Sequence, residues 1–296
     1  GNQVMDDLGN FPYLATYGTN SSYNYLINGS KPVIVKAPGL VAPDFTWETV
    51  TQMDFGFDAS FLNNRLTGTF DWYRRNTKDM LTLGEVLPGV LGANLPKENS
   101  ADLKTTGFDL TVSWRDQIKL AGKPLEYSLE FNLSDSKSEI TKFSNPTGTL
   151  NSYYKGQKIG EIWGLTSDGL YKSDEEAQKG PDQTEILIAP SQYPTVAGSL
   201  KYKDLNNDGK ITRGKYTLDD HGDLTVIGND QIRYRFGATF AANWSGFDIS
   251  AFFQGVMKHN YYPTASDKIF WGKYSAPWFD QLEGHYFDRW KEDNPN

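Results

Sequence analysis

The stretch Ile232-Arg233-Tyr234-Arg235-Phe236-Gly237-Ala238-Thr239-Phe240-Ala241-Ala242-Asn243-Trp244 alternates between apolar and polar side chains along its whole length. A period of two places Ile232, Tyr234, Phe236, Ala238, Phe240, Ala242 and Trp244 on one face of an extended chain, with Arg233, Arg235, Thr239 and Asn243 on the other. Ser245-Gly246 then turns into Phe247, Ile249, Ala251 and Phe253, which resume the oily face. The pattern predicts a β-hairpin with one apolar and one wet surface.

Two further hairpins share this pattern. Met53, Phe55, Phe57, Ala59 and Phe61 alternate with Gln52, Asp54, Gly56, Asp58 and Ser60, and after Asn63-Asn64 the apolar set is Leu66, Gly68, Phe70 and Trp72. Asparagine tolerates the positive φ of a tight turn, which suits that dipeptide. The other pair sets Phe108, Leu110, Val112 and Trp114 against Asp109, Thr111, Ser113 and Arg115. Across a connection containing Gly122 and Pro124 follow Leu125, Tyr127, Leu129, Phe131 and Leu133, alternating with Glu126, Ser128, Glu130 and Asn132.

A soluble sandwich or barrel would turn the oily face inward, and a membrane barrel would turn it to lipid. Strand length separates the two, because soluble strands average five or six residues and tilted membrane strands need about nine to eleven. The Ile232–Trp244 run fits the longer class. Its wet side, with Asp109, Glu126 and Glu130 on the neighbouring pair, fits a polar lumen. Phe61, Trp72, Trp114 and Trp244 stand near strand ends, where an interfacial girdle falls. The reading is all-β, an antiparallel transmembrane β-barrel segment with long extracellular loops.

Composition agrees. Hydrophobic residues are 38% and mean hydropathy is -0.57, yet there are 17 Phe, 17 Tyr and 8 Trp. No uninterrupted apolar run reaches the eighteen or so residues of a membrane helix. A formal charge of -8 argues against nucleic acid as a partner. Cysteine is absent, which removes disulfides and thiolate chemistry.

Residues 164–230 form a connection too long for an ordinary loop, so binding chemistry is sought there. Asp204, Asn206 and Asp208 occupy positions 1, 3 and 5 of an EF-hand-type calcium loop, Gly209 takes the sharp-turn position, and Lys210 offers a carbonyl. Position 12 is Lys215, which cannot chelate, so Asp219, Asp220 or Asp223 must complete a structural calcium site, with Asp223 the choice. The alternative is a polar Asx-rich turn without metal. Loop aromatics, among them Tyr153-Tyr154, Trp163, Tyr171, Tyr193, Tyr261-Tyr262, Trp271, Tyr274 and Trp278, are available to grip sugars or peptide side chains. Arg233, Arg235, Trp163 and Tyr171 are the ligand-binding candidates.

Enzyme signatures are weak. His221, His259 and His285 are isolated loop histidines, expected mostly in solvent, and neither HExxH nor Gly-x-Ser-x-Gly occurs. No catalytic residue is assigned. A secreted glycoside hydrolase would rest only on acidic pairs such as Glu175-Glu176 and Asp219-Asp220.

Trp47-Glu48-Thr49, Met53-Asp54-Phe55-Gly56-Phe57-Asp58, the run Asn64 to Tyr73, Thr77-Lys78-Asp79-Met80-Leu81, Gly160-Glu161-Ile162-Trp163-Gly164, Asp168-Gly169-Leu170-Tyr171, Leu200 to Ile211 and Thr225-Val226-Ile227-Gly228-Asn229 occur in this order. Phe287-Asp288-Arg289-Trp290 and Asn294-Pro295-Asn296 close the series. The ordered set resembles the barrel of SusC/RagA-type TonB-dependent transporters of Bacteroidetes, with Arg213 to Gly222 as an insertion. The resemblance implies a 22-stranded outer-membrane barrel with a plugged lumen, importing oligosaccharides or peptides with a SusD-like lipoprotein and TonB. Residues 1–296 are then a partial barrel, the plug and final strands lying elsewhere. The alternative is a soluble, calcium-stabilised all-β surface module for carbohydrate, in which Phe236, Phe240 and Phe253 would be buried.

Overall fold

The computed structural model describes residues 13–20, 26–31, 33–35, 38–43, 45–83, 95–187, 190–191 and 193–263. Trp271, Tyr274, Trp278, His285 and the motifs at 287–290 and 294–296 lie outside them. The chain divides into two compact units, the first comprising 1–144, 153–158 and 235–255 and the second 145–152, 159–234 and 256–296.

The first unit opens with a short antiparallel pair, β1 (Thr19–Asn20) and β2 (Ile34–Val35). Its body is one sheet of six strands: β3 (Thr49–Phe61), β4 (Leu66–Leu83), β5 (Lys97–Leu120), β6 (Lys123–Lys142), β11 (Arg233–Trp244) and β12 (Phe247–Lys258). Their spatial order is β12-β11-β6-β5-β4-β3, so the sheet is a meander interrupted once, between β6 and β11. The interruption holds β7 to β10.

Short turns close one end of the three hairpins. Ala121 (φ 49) with Gly122 (φ 80), and Ser245 (φ 53) with Gly246 (φ 87), are two-residue turns with both φ positive. That geometry matches the right-handed twist of paired strands. Phe61 pairs with Leu66 across four residues, of which Leu62, Asn63 and Asn64 all have positive φ. Pro124, which the sequence reading places in the connection with Gly122, does not belong to the turn. It lies in β6 opposite Lys119, beside the turn, where a missing N–H is tolerated.

Register aligns the dyad faces. Phe57, Phe70, Leu110, Leu133 and Phe236 form one cross-strand row, and Phe61, Leu66, Trp114, Leu129 and Phe240 another. Phe57 and Phe70 stand 5.7 Å apart, and Phe131 and Phe236 6.4 Å. This face is open: Phe55 is 66% exposed, Phe253 66% and Phe240 37%, unlike the core of a soluble module. From the Phe108 row to the Ile118–Leu125–Trp244 row is ten residues, about 33 Å of strand and about 25 Å of height at a tilt near 40°. The opposite face carries rows such as Gly56, Asp71, Asp109, Ser134 and Arg235.

Two differences from the sequence reading have physical causes. β5 and β6 run to 24 and 20 residues, far beyond their alternating segments. In these extensions hydroxyl pairs replace apolar ones, with Thr82 against Ser100 at 2.6 Å and Thr105 against Ser138 at 2.8 Å. Alternation in β11 also starts later than it reads, because Tyr234 adopts φ 54 and breaks the pleat. Pairing with β6 begins only at Arg235 opposite Ser134 and runs to Trp244 opposite Leu125.

At the end away from the turns, side chains take over backbone pairing. The Asn99 carboxamide accepts from Thr46 N–H at 2.8 Å and donates to the Thr46 carbonyl at 2.9 Å and to the Asp79 carbonyl. Buried Glu48 accepts the Leu81 N–H at 3.1 Å.

Gly107 sits under the Tyr73 ring, and a Cβ there would lie 2.5 Å from that ring and 2.7 Å from the Asp135 carbonyl. Gly107→Ala is expected to destabilise the sheet by about 1–3 kcal/mol, since the backbone oxygen cannot swing away. Urea unfolding of detergent-folded protein measures it, and an unchanged midpoint would contradict the packing.

Candidate functional site

The second unit pairs β7 (Glu161–Leu165) with β10 (Leu224–Asn229), and β8 (Ser167–Leu170) with β9 (Leu200–Tyr202), both antiparallel. Between β8 and β9 lies α1 (Asp174–Lys179). Ser173 caps it by accepting the Glu176 N–H at 3.2 Å, and Glu176 reaches back to the Lys172 N–H at 2.9 Å. Tyr171, Ile211 and Asp223 are fully buried. The Gln183 carboxamide, also buried, donates to the Leu200 carbonyl at 2.9 Å and accepts from Tyr202 N–H at 3.0 Å, extending β9 as a peptide group would.

The Asp-rich loop folds on its own side chains. Asp204 accepts the backbone N–H groups of Asn207 (2.6 Å), Asp208 (3.3 Å) and Gly209 (2.8 Å). Asn206 accepts from Asp208 N–H at 3.0 Å, Asp208 accepts from Lys210 N–H at 2.8 Å, and Gly209 supplies φ 81. Asp223 clasps the loop at both ends, one oxygen taking Leu205 N–H at 2.7 Å and the other Thr212 N–H at 2.8 Å. Among the described residues no group of three or more His, Asp or Glu side chains is placed to hold a metal.

Residues 213–222 leave and return through this clasp, since Asp223 N–H bonds the Thr212 carbonyl at 3.0 Å. Their tip is tied to 148–150 by Leu150 N–H to Tyr216 O (3.0 Å) and Leu218 N–H to Gly148 O (2.8 Å). Tyr216 is held at φ 60, unusual for a bulky residue. The excursion forms one wall of a cleft of about 900 Å³, with Arg213, Lys215 and Tyr216 facing Trp163, Tyr202 and Tyr262. Burial pushes the Tyr202 hydroxyl above its ordinary range. Lys215 is paired with Asp220 at 3.3 Å, whereas Arg213 has no carboxylate partner among the described residues. Rings, hydroxyls and one unneutralised cation can stack on and orient a polar ligand.

Of the four ligand candidates, Trp163 lines this cleft. Tyr171 does not: it is 0% exposed, packed on Gly180, with Lys201 above its ring at 5.9 Å, so it serves as core. Arg233 stacks on Tyr234 at 5.2 Å in the second unit, while Arg235 belongs to the polar row of the first. The left-handed Tyr234 between them removes the shared face that alternation assigns them. His221 is half-buried with its ring 5.5 Å from Trp163, not a solvent histidine. Arg213, Tyr202 and Tyr216 escaped the sequence reading because only the Thr212–Asp223 clasp, eleven positions apart, brings them to Trp163.

An open antiparallel sheet with an oily band on one face, polar rows on the other and short turns at one end is part of the wall of a transmembrane β-barrel. The chain belongs to the family described as TonB dependent receptor-like, beta-barrel, whose sequence model matches residues 6–265. TonB-dependent receptor P3 of Formosa agariphila is 26% identical over 83% of this chain and 24% of its own length. TonB-dependent receptor SusC of Bacteroides thetaiotaomicron is 22% identical over 90% of the chain and 25% of its own. The solved RagAB peptide importer in its open-open state has the same fold, with TM-score 0.56 and 21% identity over 84% of this chain and 24% of that one. The chain thus spans about a quarter of the length of these relatives.

Two measurements probe the second unit. Asp223→Ala removes a fully buried carboxylate and leaves two part-buried N–H groups without an acceptor, which should cost about 1–3 kcal/mol, with Asp223→Asn costing less. Equal melting of both variants and the parent would contradict the clasp. The Lys172 N–H and then the Lys201 ammonium, 3.0 Å away, hold the Glu176 carboxyl below its ordinary 4.5. Its folded value being the lower, the stability it contributes is complete above 4.5 and disappears as pH falls through the lowered value. Melting between roughly pH 5 and 3 should fall less steeply in Glu176→Gln than in the parent.

Proposed function

We propose that this chain is a section of the wall and outer loops of a TonB-dependent outer-membrane importer of nutrient oligosaccharides or peptides. The observation that supports it most is the one-sided apolar band, about 25 Å tall, on a sheet whose other face is charged. Polar rows such as Asp71, Asp109 and Arg235 line the lumen in this reading. The connection from β6 to β11 starts and ends at the strand ends opposite the tight turns, the extracellular ends in this reading. The cleft formed by Trp163, Tyr202, Tyr216, Tyr262 and Arg213 is the ligand-contacting part of the chain.

SusC among the sequence relatives, and RagAB, itself described as a peptide importer, favour a SusD-like lipoprotein above the barrel and TonB below it. Energy coupling rests with TonB. Calcium held by Asp204, Asn206, Asp208, the Lys210 carbonyl and Asp223 is a finer part of the proposal, supported by the ligand spacing and by Gly209 at the sharp turn. It requires Asp223 to turn from one of its two N–H partners. Chelator should lower the melting temperature if the ion is structural, and coincident curves would dismiss it.

Import is tested by deleting the gene and growing the strain on panels of oligosaccharides and oligopeptides as carbon source. Loss of growth on one class, restored by the parent gene and weakly by one carrying Trp163→Ala with Tyr202→Ala, is the expected result. Unchanged growth on every panel member would refute the function. A folded monomer in plain buffer would refute the lipid-facing wall.

A further inference from the structure

Charge is distributed unequally over the two faces of the sheet. On the polar face both signs mix, Asp54, Asp58, Asp71, Asp109 and Glu130 with Arg75, Arg115 and Arg235. On the apolar face, the rows beyond Phe55, Trp72 and Phe108, toward the long connections, become basic. Met53, Arg74, Thr106 and Lys137 form the next row, then Thr51, Asn76, Lys104 and Glu139, and Lys78 follows opposite Thr49. Lys104 is neutralised by Glu139 at 3.0 Å. Arg74, Lys78 and Lys137 are exposed and make no ion pair among the described residues. The Trp72–Phe108 row continues to Asp135, so this margin holds four cations, Arg74, Lys78, Lys104 and Lys137, against two acids, Asp135 and Glu139. In a chain of net charge -8, that surplus bordering an oily band calls for a source of negative charge at that depth.

We propose that Arg74, Lys78 and Lys137 form a binding site for the phosphate groups of a lipid in the outer leaflet, its acyl chains lying along the band below. Strands about 4.8 Å apart put Arg74 and Lys137 about 10 Å apart across Thr106, within reach of one multiply phosphorylated headgroup. Arginine meets phosphate through a forked pair of N–H donors, and the lysines add point charge at the membrane surface. Trp72 and Phe108, one dyad below, sit where the headgroup meets the chains. The geometry selects a lipid over a soluble anion, because anchor and charge are stacked on one face. The site rests on the wall reading but on no assumption about what is imported.

Protein purified in a neutral detergent is titrated with bis-phosphorylated lipid A, with the same lipid after phosphatase treatment, and with inorganic pyrophosphate. Heat-modifiable migration is followed in parallel as a measure of the folded wall. The intact lipid should bind, while the dephosphorylated lipid and pyrophosphate bind far more weakly. Arg74→Gln with Lys78→Gln and Lys137→Gln should weaken binding on the order of one hundred-fold, about fivefold per cation. Arg75→Gln removes the same charge from the opposite face and should leave affinity unchanged. Equal affinity of the triple variant and the parent, or equal losses in the triple variant and Arg75→Gln, overturns the site while heat-modifiable migration preserves the wall. Absence of micelle association overturns both.

Discussion

Everything in the sheet depends on one constraint: a chain in hydrocarbon has no water to satisfy its peptide groups, so each strand must take both partners from its neighbours. That ladder fixes register, and register decides which side chains share a row. A slip of β5 by one residue against β4 would put Asp109 in the oily band and Leu110 in the lumen. The two-residue turns at Ala121-Gly122 and Ser245-Gly246 guard against this, because each pins its hairpin at the end where pairing begins. Above the band, water is present and the constraint relaxes. There the ladder persists on threonine and serine pairs and tolerates the kinks at Asp79 and Tyr234.

The membrane-level fold was legible for the same reason. Alternation in Thr51–Phe61, Phe108–Arg115 and Phe236–Trp244 is imposed by lipid on one side and water on the other, so it is written residue by residue. The upper halves of β5 and β6 were invisible, since Lys97-Glu98-Asn99-Ser100 carries no period and the buried Ala101, Thr105 and Ile140 are too scattered to set one. Tyr234 misled in the opposite direction. Its parity fits the apolar face, yet its left-handed backbone detaches it from the ladder that begins at Arg235.

The second unit obeys local chemistry instead of a solvent boundary, and the sequence disclosed only its local parts. Asp204, Asn206, Asp208 and Gly209 describe a turn, and the loop is indeed shaped by those oxygens. The role of Asp223 could not be read, because a buried carboxylate clasping two distant N–H groups has no spacing rule. Tyr171 shows the reverse problem. An aromatic in a polar loop looks available, but α1 and Gly180 close over it, while Tyr202, embedded in the Asp-rich motif, lines the cleft instead.

Asn99 is a side chain standing in for a strand, and the substitution leaves a chemical weakness. Its amide holds Thr46 as a neighbouring backbone would, with the nitrogen directed at the Thr46 and Asp79 carbonyls. Unlike a peptide link, that nitrogen can be lost as ammonia by hydrolysis. Hydrolysis would turn a donor into an anion facing two carbonyl oxygens. Such a loss would cost the outer edge of this sheet its tie to Thr46 and Asp79, while the ladder below it, held by peptide links, would keep its donors.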